Sequence, residues 1–356
     1  MFTYTLLKED KSKTQKQNAM RSLLTLFFSL FFVINLFCQE EKVNELVSQG
    51  TELHDQGKYN EAIVKYKAAL DLDENSTLAN YELSFTYMVT QQYDLGVKYS
   101  KKVIDQNKDN QQGAYVVLGS CLDMLDKPKK AIAVYEEGLT KFPNSNLLNY
   151  NLALTLFNQK AYAKAEQAAI NSINAKPSHG SSHILLAVIM KAQGNRIKSI
   201  LPLYYFLMLE PNSKRSFSNY NDLRSQLGLG VEKKNESNIN VNIPFSASTD
   251  SEFGAAEMMV SLLAASKYTE ENVNKSDIEL FVETNKGIFS ILGELKKNNT
   301  GFWWDVYVTK FYDLVQSNNF EAYSYYISQS INSADVNKWI TDNSDKIQKL
   351  KDWTNK

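Results

Sequence analysis

The stretch GKYNEAIVKYKAAL, residues 57–70, returns later in the chain as DKPKKAIAVYEEGL, residues 126–139, and as KAYAKAEQAAI, residues 160–170. Two equivalent alanines in these stretches, Ala131 and Ala165, stand 34 residues apart. A recurrence at a fixed period of about 20–50 residues is typical of repeat proteins, in which each repeat packs on its neighbours. The pattern predicts an all-α solenoid built from helical hairpins.

Five repeats follow one another in phase, at 43–76, 77–111, 112–145, 146–179 and 180–213. Small residues recur in the first helix of each repeat, namely Gly50, Ser84, Gly119, Ala153 and Ala187. Prolines that would end the second helix recur at Pro143, Pro177 and Pro211. In repeat 1, Gly50 and Ala62 would let the two helices approach closely, and Tyr66 would fill the space beside that contact.

This pattern resembles the tetratricopeptide repeat family over about half of the chain. The resemblance implies antiparallel helix pairs whose first helices line a groove for a protein or peptide. Repeat 2 departs from the family, since Gly96 and Ser100 replace an alanine and an aromatic residue, which suggests a softer joint or a specialised surface. Repeat 5 departs through Ser199 and Leu203, and it carries Pro202 within its second helix.

The resemblance also identifies groove-facing positions on the first helices. In repeats 2 and 4 these positions hold large apolar residues, which are Tyr81, Phe85, Met88, Tyr150, Leu154 and Phe157. Those helices already have a packing face, represented by Leu83 and Leu152, so they carry apolar residues on two faces. A protein or peptide partner is therefore predicted at the six groove residues. In repeat 1 the groove positions are Val47, Thr51 and His54, and Val47 and Thr51 do not support the family's basic clamp for a C-terminal carboxylate.

Residues 1–38 are predicted to be a signal peptide, with Met20 as an alternative start. Basic residues from Lys8 to Arg21 precede an apolar stretch, Leu23 to Phe37, of about 15 residues, whereas a membrane span needs about 20. Cleavage after Cys38 is expected, and a lipoprotein acylated on Cys38 is the alternative. The protein is thus predicted to be exported to the periplasm or cell envelope. Contact with the membrane is expected only through the signal peptide or a lipid anchor.

The remaining chain divides into a cap helix with a linker, 214–251, and a helical C-terminal domain, 252–356. Alternation of Ile239, Val241 and Ile243 indicates an extended segment in the linker. The C-terminal region is expected to contain a helix opened by a capping box at Ser276 and a final helix over 335–353. It either forms a separate domain or packs directly on the last repeat.

No constellation of residues indicates catalysis, and no metal or cofactor is predicted. The net charge of -1 argues against a nucleic-acid partner. His179 and His183 share a helical spacing, but no carboxylate or cysteine stands near them. Two alternatives stay open. In the first, the chain's own linker or C-terminal domain fills the groove, and the protein is a structural component of the envelope. In the second, the aromatic C-terminal domain is an enzyme or binds carbohydrate, through rings such as Trp303 and Trp304.

Overall fold

The computed structural model describes Met20, Leu23 and Phe37 and the ranges 39–235, 238–243 and 252–354. The predicted signal peptide lies outside the described residues apart from three isolated positions. Cys38 also lies outside them, so its cleavage or acylation stays a prediction. The chain forms two compact units, and the division falls between Gly138 and Leu139. We call them the N-terminal unit and the C-terminal unit.

The N-terminal unit consists of consecutive helical hairpins. Its helices are α1 (39–55), α2 (Tyr59–Leu72), α3 (Thr77–Val89), α4 (Tyr93–Gln106), α5 (Gln111–Met124) and α6 (Pro128–Lys141), whose last turn crosses the division. Ser76 caps the start of helix α3, because its side chain accepts a hydrogen bond from the Ala79 amide and so satisfies one free donor of the first turn. Val43, Ala62, Tyr66 and Leu83 belong to one buried cluster that joins the first three helices.

Each hairpin turns on a residue with left-handed backbone geometry. These residues are Gly57 (φ 75°), Gln91 (φ 60°), Asp126 (φ 56°), Lys160 (φ 59°) and Gly194 (φ 77°). The next residue donates its amide to a carbonyl five positions back, as Lys58 does to Leu53 at 2.9 Å. This bond satisfies a carbonyl that the end of a helix would otherwise leave free. The repeat therefore shows in the turn geometry as well as in the helices.

The predicted close approach of paired helices is confirmed. A Cβ atom placed on Gly50 would lie 2.5 Å from the ring of Tyr66, and one on Gly119 would lie 2.2 Å from the ring of Tyr135. Both tyrosines are almost completely buried. A side chain at either glycine would displace a ring from the core, so small residues are needed there.

The departure of repeat 2 from the family has a packing cause. A Cβ atom on Gly96 would lie 2.5 Å from the sulfur of Cys121, which is itself fully buried. Ser100, the second unusual residue, is buried and donates its hydroxyl to the Gly96 carbonyl at 2.6 Å. Helix α4 thus approaches α5 through a glycine and a thiol, where the family pattern would place an alanine.

The C-terminal unit contains the last repeats and a further group of helices. The repeats provide α7 (Asn146–Asn158), α8 (Tyr162–Ala175), α9 (Gly180–Ala192) and α10 (Arg196–Leu209), and α11 (Ser216–Leu227) follows them. The strands β1 (Val231–Lys233) and β2 (Ile239–Val241) come next. The final helices are α12 (Gly254–Ser266), α13 (Asp277–Leu295), α14 (Thr309–Gln316), α15 (Phe320–Tyr326), α16 (Ala334–Asp342) and α17 (Ser344–Thr354). Short 3-10 turns cover Lys296–Asn298 and Gln329–Ile331.

The extended segment predicted in the linker is one strand of a small antiparallel hairpin. Val241 of β2 lies opposite Val231 of β1. The hairpin begins at Gly230, whose φ of 81° favours glycine and whose carbonyl accepts the Asn242 amide at 2.7 Å. The sequence predicted β2 but not its partner strand.

The final helices pack directly on the last repeat, which is one of the two arrangements left open by the sequence. The Tyr204 hydroxyl of α10 donates to Asn285 of α13 at 2.5 Å, and Tyr323 of α15 donates to the Tyr204 carbonyl at 3.1 Å. Arg196 of α10 and Glu257 of α12 form an ion pair at 2.8 Å, and only 2% of each side chain is exposed. Helix α10 therefore lies within the core of the C-terminal unit.

Two expectations for the last hundred residues are corrected. The helix predicted over 335–353 is two helices, because the chain breaks at Asn343, whose backbone and side-chain amides both donate to the Trp339 carbonyl. Trp303 and Trp304, the two rings suggested for carbohydrate binding, are both buried. They begin a π-helical turn, Trp303–Val308, in which the Trp304 indole donates to Glu252 at 2.5 Å.

Candidate functional site

Helix α3 divides its apolar side chains between two faces. Leu83 and Tyr87 are buried against the neighbouring helices. The predicted groove residues Tyr81, Phe85 and Met88 are only partly buried. Because these three recur at i, i+4 and i+7, they lie on one side of the helix. The structure thus brings them together on a second, partly exposed face.

Neighbouring first helices hold two of these rings in place. The imidazole of His54 on α1 stacks on Phe85 at a centroid distance of 5.3 Å. Since the Thr86 hydroxyl donates to the Glu82 carbonyl, its oxygen accepts from His54 Nδ1 at 2.8 Å, which fixes the imidazole. Tyr81 lies over Gly113 of α5, where an added Cβ atom would be 2.5 Å from the ring.

One groove position predicted in repeat 1 was wrong. Val47 is only 3% exposed and belongs to the core shared by α1, α2 and α3. Thr51, on the same helix, is partly buried, and its hydroxyl donates to the Val47 carbonyl at 3.1 Å. His54 therefore marks where α1 first contributes a ring to the partly exposed face.

Helix α7 of the C-terminal unit repeats the arrangement of α3. Leu148, Leu152 and Leu156 are buried, whereas the predicted groove residues are partly buried, namely Tyr150, Leu154 and Phe157. The ring of Tyr150 meets His179 edge-on at 5.3 Å, and Phe157 lies 5.9 Å from Tyr162. Leu147 at the start of the helix is 43% exposed. Each unit thus presents an apolar surface made from one first helix and its neighbours.

The two surfaces differ in charge. Helix α7 contains no charged residue. Helix α3 contains Glu82, where burial, followed by repulsion from Asp55, raises the pKa of the carboxyl above its ordinary value. Sequence reasoning overlooked Glu82 because it compared only large apolar residues, although Glu82 lies three residues before Phe85.

The residues that hinted at other chemistry have structural roles. His183 is buried, and its Nε2 donates to the Pro177 carbonyl at 2.8 Å, so Nδ1 accepts from the Tyr307 hydroxyl at 2.7 Å. Burial raises the pKa of Cys121 to about 12. Within the described ranges, no group of three or more histidine, cysteine or acidic side chains is placed to hold a metal ion.

The aromatic residues of the C-terminal unit form a packed interior. Trp304, Tyr307, Phe311 and Tyr323 are at most 1% exposed. Such rings cannot stack on a sugar at the surface, so the suggested carbohydrate platform is not formed by them. Among these rings, the carboxylate of Asp305 accepts the Gly301 amide at 2.9 Å. In the part of the chain that the structure describes, no helix is both long and apolar enough to cross a membrane.

Comparison with known proteins places the hairpins in a family. A family model described as TPR repeat matches residues 50–89. Several solved structures are similar in fold, and three of them are described here. PilW, described as a widely conserved type IV pilus biogenesis factor, is 17% identical, with 65% of this chain and 96% of that chain covered and a TM-score of 0.45.

The second, pilF of Pseudomonas aeruginosa, is 17% identical. The match covers 53% of this chain and 90% of pilF, with a TM-score of 0.44. The third, a thermophilic TPR protein of Thermus thermophilus, is 16% identical, with 52% and 100% covered and a TM-score of 0.44. No curated protein matches the chain.

The segment matched by the family model runs from Gly50 in α1 to Val89 at the end of α3, and the same hairpin and turn recur through α10. The matched segment is therefore a tetratricopeptide-type repeat, and the chain repeats its helical hairpin in succession.

Proposed function

We propose that the protein is an exported scaffold or adaptor that binds a protein or peptide through the partly exposed faces of α3 and α7. One observation carries the proposal. Each of these helices buries one apolar face and leaves a second only partly covered by its own chain. A second apolar face is not needed for helix packing, and an exposed apolar patch usually has a partner.

Two substitutions test this proposal. Phe85→Asp combined with Leu154→Asp places a charge on each face without altering the buried residues between repeats. We expect unchanged helix content by circular dichroism and loss of partner capture from an envelope extract, since one such anchor contributes about 1–3 kcal/mol to binding. The matched control is Val64→Asp with Val273→Asp, since both valines are 64% exposed and lie elsewhere on the surface.

The results separate the alternatives. Unfolding of the Phe85→Asp and Leu154→Asp protein would show that these side chains are core residues. Undiminished capture would show that the partner uses another surface. An unaltered protein that captures nothing would favour the structural role, with the chain's own segments over the groove. In the described part of the linker, the β1–β2 hairpin packs on α12.

Export rests on the N-terminal sequence and has its own test. The basic lead followed by a short apolar stretch supports a mature chain that begins at Gln39. Intact-mass measurement of protein from its native host should give that mass. A mass that retains residues 20–38 would contradict cleavage, and acyl chains on Cys38 would favour the lipoprotein instead.

A further inference from the structure

A carboxylate interrupts the apolar face of α3. Leu78, Glu82, Phe85 and Val89 follow at i, i+4, i+7 and i+11, so they form one line along the helix, which we call the α3 stripe. Leu78 and Val89 are each 38% exposed, and Glu82 and Phe85 between them are partly buried. A ligand that covers the leucine, phenylalanine and valine must also cover the carboxylate.

A cation is the partner that best compensates for covering that carboxylate. Burial already raises the pKa of Glu82, and the charge of Asp55 at the end of α1 adds to this effect. Neither carboxylate forms an ion pair with a lysine or arginine of the described residues. The lysine of α1, Lys42, pairs with Glu45 at 2.7 Å, and Lys65 of α2 donates to Gln49 at 2.8 Å. Further burial of an unpaired carboxylate is unfavourable, whereas a paired one is tolerated.

An open cleft of about 530 Å³ continues the stripe beyond Leu78. It lies at the N-terminal ends of α1 and α3, and its acidic lining residues are Glu40, Asp73 and Asp109. No lysine or arginine of the described residues lines it. Because Leu78 belongs to both the stripe and the cleft, the apolar surface and the negative charge are continuous.

The charges of the N-terminal unit are segregated by layer. Helix α1 carries five carboxylates and one lysine, Lys42, while α3 and α5 add Glu82 and Asp123 with no lysine or arginine. The second helices carry the lysines, for example Lys65 on α2 and Lys101 on α4. The layer that holds the α3 stripe is therefore negative, which favours a positive ligand.

We propose that the α3 stripe and the adjoining cleft bind an amphipathic segment of a partner protein that carries lysine or arginine beside its apolar residues. The apolar side chains of the segment cover Leu78, Phe85 and Val89, and a cationic side chain pairs with Glu82 and Asp55. This inference rests on the proposed function and adds the chemistry of the partner. Helix α7 has no charge to match, so the preference belongs to the N-terminal unit.

Three synthetic amphipathic peptides test the inference. They share one pattern of leucines and differ only in the polar positions, which hold lysine, glutamine or glutamate. Binding to the full chain is measured by fluorescence anisotropy. We expect the lysine peptide to bind at least about tenfold more tightly than the glutamate peptide, with the difference decreasing at high salt because partly exposed charges are screened.

Charge-neutral variants locate the preference. Glu82→Gln with Asp55→Asn should weaken binding of the lysine peptide about tenfold and leave the glutamine peptide unchanged. The control is Glu61→Gln with Asp71→Asn, which removes the same charge from exposed positions of α2. The control should leave the affinity for all three peptides unchanged.

The remaining outcomes overturn the inference in distinguishable ways. Equal affinity for the lysine and glutamate peptides, with both lost on Phe85→Asp, would overturn the charge preference but leave the binding surface in place. Equal loss in the α2 control would assign the preference to net charge. Binding of the lysine peptide only by a chain that begins at Gln39 would show that the protein's own basic leader covers the stripe. Absence of binding by any peptide would overturn the inference and count against the proposed function as well.

Discussion

Helices α4 and α10 occupy the same place in their repeats but have different surroundings. Helix α4, in the N-terminal unit, buries one narrow face formed by Gly96, Ser100 and Val103. Helix α10, in the C-terminal unit, is buried around most of its circumference. The repeat period is the same in both, so it does not determine how many sides of a helix are covered. The distribution of apolar residues around the helix does, because a helix that is apolar all round must be enclosed.

The largest effect on the free energy of unfolding is expected at the buried ion pair between Arg196 of α10 and Glu257 of α12. Arg196→Met would leave the buried carboxylate of Glu257 without a cation and should lower the free energy of unfolding by about 3–5 kcal/mol. Urea unfolding followed by tryptophan fluorescence measures this, because all four tryptophans lie in the C-terminal unit. Arg196→Met with Glu257→Met should recover most of the loss. Lys338→Met, in an exposed pair with Asp342, should leave the unfolding midpoint unchanged, because solvent screens such a pair. An unchanged midpoint for Arg196→Met would show that this contact does not hold the enclosure together.

The free energy of unfolding of the C-terminal unit should also depend on pH, through His183. Burial lowers the pKa of His183 to about 4, below its ordinary value of 6.5. Between these values the unfolded chain binds the proton and the folded chain does not. Stability is therefore full above pH 6.5 and falls as the pH approaches 4, by up to about 3 kcal/mol. The tryptophan-detected unfolding free energy should have a smaller slope over this range in His183→Gln.

The matched control for this pH dependence is His54→Gln in the N-terminal unit. His54 also has a pKa lowered by burial, although it is much less buried than His183. The tryptophan signal of this variant should keep the slope of the unaltered protein. A slope that His183→Gln leaves unchanged would assign the pH dependence to other groups.

The close contact in the N-terminal unit should respond to a single methyl group. Gly96→Ala is expected to lower the free energy of unfolding, measured by circular dichroism, by about 1–3 kcal/mol because the methyl group meets the Cys121 sulfur. Cys121→Ala in the same chain removes that sulfur, so the two changes should cost less together than the sum of their separate effects. Gly228→Ala is the control, since its Cβ atom would meet nothing closer than 3.7 Å. Additive losses would mean that Gly96 and Cys121 do not compete for the same space.

The smallest effect on the free energy of unfolding is expected in the left-handed turns, a type of turn found in both units. Lys160 has the left-handed φ of 59° that glycine adopts at Gly57 and Gly194. Lys160→Gly should therefore raise the free energy of unfolding by about 0.5–1 kcal/mol, and Gly194→Ala should lower it by about 1 kcal/mol. Thermal unfolding of the two variants measures both changes. If both substitutions changed the free energy of unfolding in the same direction, the left-handed geometry of these turns would be contradicted.

Local features of the repeats could be predicted from the sequence. The spacing of Gly50 and Tyr66 within one hairpin was enough to place a ring against a glycine. The contact between Gly96 and Cys121 could not be recognised, because it joins two repeats and each residue by itself looks like a departure from the family. The break at Asn343 was missed because one asparagine in a helical pattern is a weak signal.

The candidate site, too, could be predicted from the sequence only in part. Family positions identified the six apolar residues of α3 and α7, whose role in binding stays a prediction. The same positions misplaced Val47, since α1 packs in the core at that point. The enclosure of α10 was detectable in principle, because RIKSILPLYYFLML has apolar residues on every side. What could not be predicted is that α12, α13 and α15 supply the contacts that cover it, because these contacts join residues far apart in the chain.

The buried thiol of the N-terminal unit can also report local opening of that unit through its rate of chemical labelling. A chain that begins at Gln39 has Cys121 as its single cysteine, and this cysteine is fully enclosed beside Gly96. A thiol reagent can reach it only when α4 and α5 separate, so the labelling rate reports the population of that opening. The tryptophans report the C-terminal unit at the same time. One chain thus contains separate kinetic reporters for its two units, and a bound segment that rigidifies only the N-terminal unit would slow the thiol reaction alone.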